Sequence, residues 1–325
     1  MYFSVLVPVY NQMGKMDKCI DSLLNQTFKD FEVIFVDDGS TDGSSDFLDK
    51  LCNENQIFKV YHHGENKSLT AARFTGMEHA KGSHVFFLDS DDFLETTALE
   101  QLKNKFDETG ADIIRFGVLM EPMGVTVMPP ETDDYLTSFM KGLIPPAIWK
   151  NAYDASVIKG VIDKCSSFYC NMGEDSFFST VFFGNADVVI SFESVLYHYD
   201  ALSGMSQTSQ VSSMAKLIKD YDSAHASGVN IIKFVKKYKP EYLELAKKSI
   251  RHMYRYILCQ NILYAKDCLD VSSYLNFFRE KGEKLVYEFG CKELIPYKVK
   301  FDLKRNDERF SDIELEELFT LLPEK

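Results

Sequence analysis

Four apolar, β-branched or aromatic runs punctuate the first ninety positions: FSVLVPVY at 3–10, FEVIFVDD at 31–38, IFKVYHH at 57–63 and HVFFLDSD at 84–91. Each is short and dominated by β-branched or aromatic residues, the pattern of a strand covered on both faces. Between and after them, stretches with apolar residues three and four apart predict helices over 16–24, 45–51, 69–80 and 98–106. Asp42 or Ser44 suits the N-cap of the second helix and Ser68 that of the third. Strand and helix alternating at this pitch predict a mostly parallel sheet with helices on both faces. Such sheets bind ligands beyond the carboxyl ends of their strands. Three of those ends are polar here: Pro8, Val9, Tyr10 and Asn11; Asp37, Asp38, Gly39 and Ser40; Asp89, Ser90, Asp91 and Asp92.

From about residue 112 to 199 the pattern is mixed, with a strand over 113–118, proline pairs at 129–130 and 145–146, and NMGEDSFFSTVFFGNA as a loop feeding a helix. VVIS and SVLYHY follow as strands. Beyond Ser212 the pattern turns to long helices, with Tyr242, Ala246, Ile250, Met253, Tyr254 and Ile257 forming an apolar stripe. This divides the chain into an α/β region, 1–210, and a mainly helical region, 211–325. At 325 residues there is room for two domains.

Charge and cysteine usage narrow the field. A net charge of −13 argues against a bulk nucleic-acid binder, which needs clustered Lys and Arg. The seven cysteines lack zinc-type spacing and read as reduced thiols. No apolar run reaches the roughly 18 residues of a membrane span, and MYFSVLVPVYNQ lacks the marks of a signal peptide, so the expected location is cytoplasmic. Lys233, Lys236, Lys237, Lys239, Lys247, Lys248, Arg251 and Arg255 gather beyond residue 230. They suit either a solvated face or peripheral contact with an anionic membrane at its inner face. The apolar stripe alternatively suits a homo-oligomer.

The acidic strand ends carry the candidate chemistry. If strand geometry persists, Asp89 and Asp91 face one side and form a hard-oxygen site suited to magnesium or manganese. The competing reading has Asp92 cap the following helix and its neighbours merely exposed. Asp38, at the next strand end, suits hydrogen bonding to a nucleoside rather than a phosphate, or a simple turn. Lys67 and Arg73 offer cations to a base or phosphate, and each is equally open to a surface role. Glu174 and Asp175 fit either acid–base work or the N-terminus of a helix. His198 is open to metal ligation or packing, Ser203 and Ser206 to phosphate contact or an ordinary loop. Trp149 suits either acceptor stacking or the core.

SVLVPVYNQ, FEVIFVDDGSTDGS, NKSLTAARFTG, VFFLDSDDFL and MGEDSFF, in this order, resemble the motifs of the family 2 glycosyltransferases, densely over 1–120 and more thinly to about 210. The resemblance implies a GT-A fold and an inverting, metal-dependent transfer from a nucleotide sugar, with a UDP-sugar expected. It places Pro8, Tyr10, Asp38 and Arg73 in the nucleotide pocket, Asp89 near the ribose and Asp91 at the manganese or magnesium ion; Lys67 and Ser90 are further candidates for donor contact, and His198 for the metal or the diphosphate. It makes Asp175 the general base, beside Glu174. The expected acceptor is a hydroxyl of a saccharide, teichoic acid or lipid-linked molecule of the cell envelope. Three departures stand out: Ser68 where glycine is usual, Phe74 where asparagine is usual, and Asp200 after YHY where arginine is common. A nucleotidyltransferase of related architecture would want a glycine-rich basic loop after the first strand, where this chain has NQMGKMDK. A noncatalytic sugar-nucleotide binding module would keep the pocket and lose the base.

Overall fold

In the computed structural model, residues 1–201, 214–264, 273 and 276–281 are described. The chain divides into two compact units, one of Met1–Ser209 with Lys219–Met253, the other of Gln210–Ile218 with Tyr254–Lys325. The expected boundary at 210 falls outside the described residues, as do Ser203 and Ser206.

The apolar runs become strands because only a sheet covered on both faces buries every side chain. β1 (Phe3–Val9) and β2 (Phe31–Asp37) are buried at every position. With β3 (Phe58–His62) and β4 (His84–Phe87) they make the parallel half of the sheet, in the order β3-β2-β1-β4. The intervening helices are α1 (Asp17–Leu24), α2 (Ser44–Glu54) and α3 (Leu69–His79). The second half of the sheet is mixed. It comprises β5 (Phe93–Leu94), β6 (Ile113–Glu121), β7 (Val125–Val127), β8 (Asn151–Asp154) and β9 (Val189–Asp200). β8 runs antiparallel to both β4 and β6, whereas β6 and β9 are parallel. Only four residues long, β8 carries too little pattern to announce itself. VVIS and SVLYHY, expected as two strands, are the single strand β9, and its register shifts against Phe116, Gly117 and Val118 absorb the irregularity.

α4 (Ala98–Thr109), α5 (Tyr135–Met140), α6 (Ala155–Lys164) and α7 (Glu174–Asn185) flank the sheet. On one face, Phe3, Val5, Val7, Phe35, Phe86 and Phe116 pack with Leu23, Leu99 and Leu102 of α1 and α4. On the other, Phe87 and Tyr153 meet Phe182 of α7, and Gly76 of α3 lies against Leu6. Two long helices follow, α8 (Met214–Tyr238) and α9 (Leu243–Tyr264). The predicted stripe is realised in part: Ala246, Ile250 and Tyr254 are buried, Met253 is half-buried, and Tyr242 is half-buried in the 3-10 turn Pro240–Tyr242 before α9. The side chains of Arg255 and Ile257 lie outside the described residues.

Register brings the polar strand ends together, because Val9 stands beside Asp37, and Asp37 beside His62. The loops beyond them are stitched by side chains. Asn11 N–H donates to Ser40 Oγ (2.9 Å), Gln12 N–H to Ser44 Oγ (3.0 Å) and Met13 N–H to Asp42 Oδ2 (2.9 Å). Neither expected residue caps α2, whose N-cap is Gly43 in the left-handed region; Asp42 instead accepts from Ser44 N–H one step later.

Gly39 is the tightest point of this arrangement. Its φ is +73°, and an added Cβ would stand 2.6 Å from the carbonyl carbon of Glu65 in the β3–α3 loop. Gly39→Ala is therefore expected to lower unfolding stability by more than about 1 kcal/mol, read by urea denaturation, since the left-handed φ and the backbone clash both oppose the methyl group.

Candidate active site

The candidate site is built around one guanidinium. Arg73, one turn into α3, is 2% exposed. Its Nη1 donates to Asp175 Oδ1 (2.9 Å) and Glu174 Oε1 (3.4 Å), and Nη2 lies 3.6 Å from Asp89 Oδ1. A helix between two strands thus joins the acid at the end of β4 to the acids that open α7. Arg73, expected in the nucleotide pocket, sits between the two acidic motifs, and its Nε finds no hydrogen-bond partner. Glu174 and Asp175 lie in the first turn of α7, where negative charge suits the helix dipole, but neither caps Gly173. Both side chains turn to Arg73 instead.

The acids after β4 do not continue the strand. β4 ends at Phe87, and Asp92 N–H turns back to the Asp89 carbonyl (3.1 Å), so alternation does not determine where Asp89 and Asp91 point. The turn is held from β9. Tyr197 donates its hydroxyl to Asp92 Oδ2 (2.6 Å) and accepts from Asp89 N–H (3.2 Å), while Asp200 N–H donates to Asp92 Oδ1 (2.7 Å). Asp92 is therefore an anchor of the acidic turn, not the cap of α4. Ser90 is buried within the turn, and Asp91 is half-buried.

This arrangement is electrostatically strained. Burial, together with neighbouring acids, outweighs the pull of Arg73 and raises Asp89 to about 6 and Asp175 to about 7. Burial and the Asp89 charge raise Asp92 to about 8, against the hydrogen bonds from Tyr197 and Asp200. Glu174 is raised for the same reason as Asp175. Beneath the turn, burial and the charges of Asp92, Asp91 and Asp89 push the Cys19 thiol up, which makes it unreactive. Several carboxylates facing one guanidinium form a hard-oxygen environment with more acids than cations, the donor chemistry that a divalent cation would need. Among the described residues no group of three or more His, Cys, Asp or Glu side chains is placed to hold a metal ion by itself, so an ion bound here would take its remaining ligands from substrate and water.

At the end of β1, Pro8 is buried and Tyr10 is 47% exposed beyond it. Asp38 is 3% exposed, and its carboxylate holds the β3–α3 loop: Oδ1 accepts from Lys67 N–H (2.8 Å) and His63 Nδ1 (2.7 Å), Oδ2 from Ser68 N–H (2.9 Å). Asp37 likewise accepts from Ser40 N–H, Ser45 and His62. The Lys67 side chain is exposed. His198, expected at the metal, stacks on Phe93, and its Nε2 and Nδ1 face Glu95 (2.8 Å) and Glu121 (3.2 Å), which leaves neither ring nitrogen for an ion in this arrangement. Trp149 stacks on Tyr199, packs at a tilt against Tyr197, and is half-buried beneath the Lys150 ammonium.

Two supports escaped the sequence reading. Tyr197 sits in the same YHY that drew attention to His198, and only the register of β9 against β5 reveals which residue faces the acids. The loop before α7 rests on α8, where Ser227 donates to the Gly173 carbonyl (2.6 Å) and Ser223 accepts from Asn171 N–H (3.3 Å). The helical region thus contributes directly to holding Glu174 and Asp175.

Residues 4–166, half of the chain, match glycosyl transferase family 2. The chain belongs to this family. Among curated proteins it is similar to the putative glycosyltransferase EpsH of Bacillus subtilis, 34% identical over 165 residues that make up 48% of each protein. The chain spans about half, or less, of the length of the curated relatives it matches. Among solved structures it is similar to Staphylococcus aureus TarS 1–349 in complex with UDP-GlcNAc, with a TM-score of 0.57, 18% identity, and coverage of 96% of this chain and 93% of that one. It also resembles the mannosyltransferase PcManGT of Pyrobaculum calidifontis in complex with GDP-Man and Mn2+, with a TM-score of 0.50, 15% identity, and coverage of 95% and 88%. At these identities the structural matches speak for the fold, which is GT-A-like. Membership of family 2 gives no support to the nucleotidyltransferase reading.

Removing Arg73 would leave buried carboxylates without a counter-charge. Arg73→Met is expected to destabilise the protein by about 3–5 kcal/mol in urea titrations. The raised carboxylates also fix a pH dependence. The unfolded state releases their protons near the ordinary value of 3.8, and the folded state holds them up to about 8 for Asp92. Stability in metal-free buffer is therefore expected to gain from these groups at low pH and to lose that gain as pH rises from about 4 to about 8. Asp92→Asn should flatten this dependence in urea titrations across the same range.

Proposed function

We propose that the protein is an inverting glycosyltransferase that moves a sugar from a nucleotide sugar to an acceptor hydroxyl, with Asp175 as the general base. The observation that carries this reading is the convergence of Asp89 and Asp175 on Arg73 at the carboxyl edge of a family 2 sheet. Transfer requires negative charge to be stabilised on a departing diphosphate and a proton to be taken from the attacking hydroxyl. The two acidic motifs stand on either side of the guanidinium and suit these separate tasks.

Asp91, with Asp89 beside it, would hold manganese or magnesium together with the donor diphosphate; such an ion stabilises the leaving oxygen without a proton donor. The Mn2+ in the PcManGT complex is consistent with this. Asp89 and Ser90 are proposed on the ribose side, and Pro8, Tyr10, Asp38 and Lys67 around the base and phosphates. A UDP-sugar is the proposed donor, on the strength of the UDP-GlcNAc bound to TarS. Between the two acids of α7, Asp175 is the better base because its side chain is 24% exposed against 10% for Glu174. Its value of about 7 lies near the operating pH, where a general base works best. One base and one leaving group on opposite faces of the sugar give inversion in a single displacement.

The proposed acceptor is a saccharide, teichoic acid or lipid-linked hydroxyl of a cell-envelope polymer. Peripheral membrane contact through exposed Lys233, Lys236 and Lys237 of α8 and Lys248 and Arg251 of α9 belongs to the same proposal, as does a cytoplasmic location. Among the described residues no helix is long and apolar enough to cross a membrane.

A panel of UDP-, GDP- and dTDP-sugars, assayed for hydrolysis and transfer with and without Mn2+, tests the reading. Asp175→Asn should cut kcat by about 100 to 10,000-fold while retaining UDP binding; wild-type turnover in this variant would sink the base assignment. Asp91→Asn should abolish the response to metal, and turnover indifferent to chelation would remove its role. UDP binding without any turnover would favour a noncatalytic module. A base near 7 also predicts that kcat/KM falls about tenfold per pH unit on the acid side of about 7, read as a pH–rate profile.

A further inference from the structure

Ser68 stands immediately before α3 with φ +96° and ψ +157°, a backbone region that is essentially glycine territory. It is fully buried. Glycine would occupy this position without strain, so the question is what the serine side chain supplies in return. Its hydroxyl accepts from Cys170 N–H (3.1 Å) and from Ala71 N–H (3.4 Å), the second contact making it the N-cap of α3. Around it, Leu69 N–H donates to Asn171 Oδ1 (2.8 Å), and Thr70 donates to the Cys170 carbonyl through Oγ1 (3.0 Å) and N–H (3.3 Å). The first turn of α3 is thereby fastened to residues 170–171. Three residues further along, that same segment enters α7 with Glu174 and Asp175, which return to α3 through Arg73.

We infer that Ser68 is a positioning residue: its hydroxyl fixes the 170–171 segment against α3 and so sets where Asp175 stands relative to Asp89. The inference rests on the assignment of Asp175 as base. Two bridges, Ser68 to Cys170 and Arg73 to Asp175, are five residues apart on both chain segments, so they close a small ring of contacts. Arg73 alone attracts Asp175 but allows it to pivot; the Ser68 bridge, with those of Leu69 and Thr70 to residues 170–171, removes that freedom. The backbone N–H of Ser68 meanwhile donates to Asp38 Oδ2, which joins the nucleotide-side loop to the same ring. Misplacing a reacting group by about 1 Å can cost on the order of a hundredfold in rate.

Ser68→Gly and Ser68→Ala in the full chain separate strain from tether. Glycine relieves the backbone and deletes the hydroxyl; alanine keeps the strained backbone and deletes the hydroxyl. Amide hydrogen exchange at Cys170 should quicken in both variants, because a buried N–H loses its acceptor. With UDP-GlcNAc and Mn2+ as probe, Ser68→Gly should lower kcat by roughly ten- to a hundredfold, with KM within about twofold and a melting temperature no lower than wild type. Ser68→Ala should lose both kcat and thermal stability. A serine that served only as a strained structural cap would instead give Ser68→Gly a wild-type kcat, and that result overturns the inference. So does unchanged exchange at Cys170. If the wild-type protein turns over no nucleotide sugar, the functional reading fails separately, and exchange at Cys170 alone decides whether the tether exists.

Discussion

A buried guanidinium among carboxylates is the constraint on which the candidate site depends, because neither partner is tolerable without the other. Arg73 could not be 2% exposed without acids around it, and Asp89, Glu174 and Asp175 could not crowd together without a cation between them. The three acids come from distant parts of the chain, so the ion cluster is also a topological clasp. β4 delivers Asp89, α7 delivers Glu174 and Asp175, and α3 lies between them. Each bond in the cluster therefore fixes the separation of the two acidic motifs, the dimension that a transfer between a bound donor and an acceptor must control.

The clasp leaves charge unbalanced, and the direction of that imbalance is informative. Asp89, Asp92 and Asp175 are all raised, so the folded protein at neutral pH carries carboxylates that it would stabilise better if they were protonated or met by further positive charge. Stability alone would favour replacing one of them. Under the proposed function, a divalent ion arriving with a diphosphate would relieve the same repulsion and so couple donor binding to the stability of the turn held by Tyr197 and Asp200.

How much of this was legible in the sequence follows from which forces are local. The buried strands of the parallel half announced themselves, because a strand covered on both faces must be apolar at nearly every position, and the helices between them were marked by spacing and by Ser68 as N-cap. β8 and β5 were not legible: four and two residues carry no period, and both form only because a neighbouring strand offers an edge. The acids of the candidate site were visible as motifs. Their mutual arrangement was not, since Arg73 looked like a surface or pocket cation until α3 was placed between β4 and α7. His198 and Tyr197 illustrate the same limit. Adjacent residues on a strand face opposite ways, and register alone determined that the tyrosine reaches Asp92 while the histidine meets Glu95 and Glu121.

Two kinds of strain meet in α3, and they answer different needs. The electrostatic strain around Arg73 is shared among several acids and can be relieved by a ligand, so it can vary along a reaction cycle. The backbone strain at Ser68, on the order of 1–3 kcal/mol for such a conformation, is relieved by nothing that binds. A fixed strain is suited to holding geometry and a relievable one to responding to charge. α3 carries the fixed element at its first turn and the responsive element one turn later, and the segment that bears Asp175 is attached to both. The helix is thus the part of the fold through which the β3–α3 loop, the acidic turn and the candidate base are held in common.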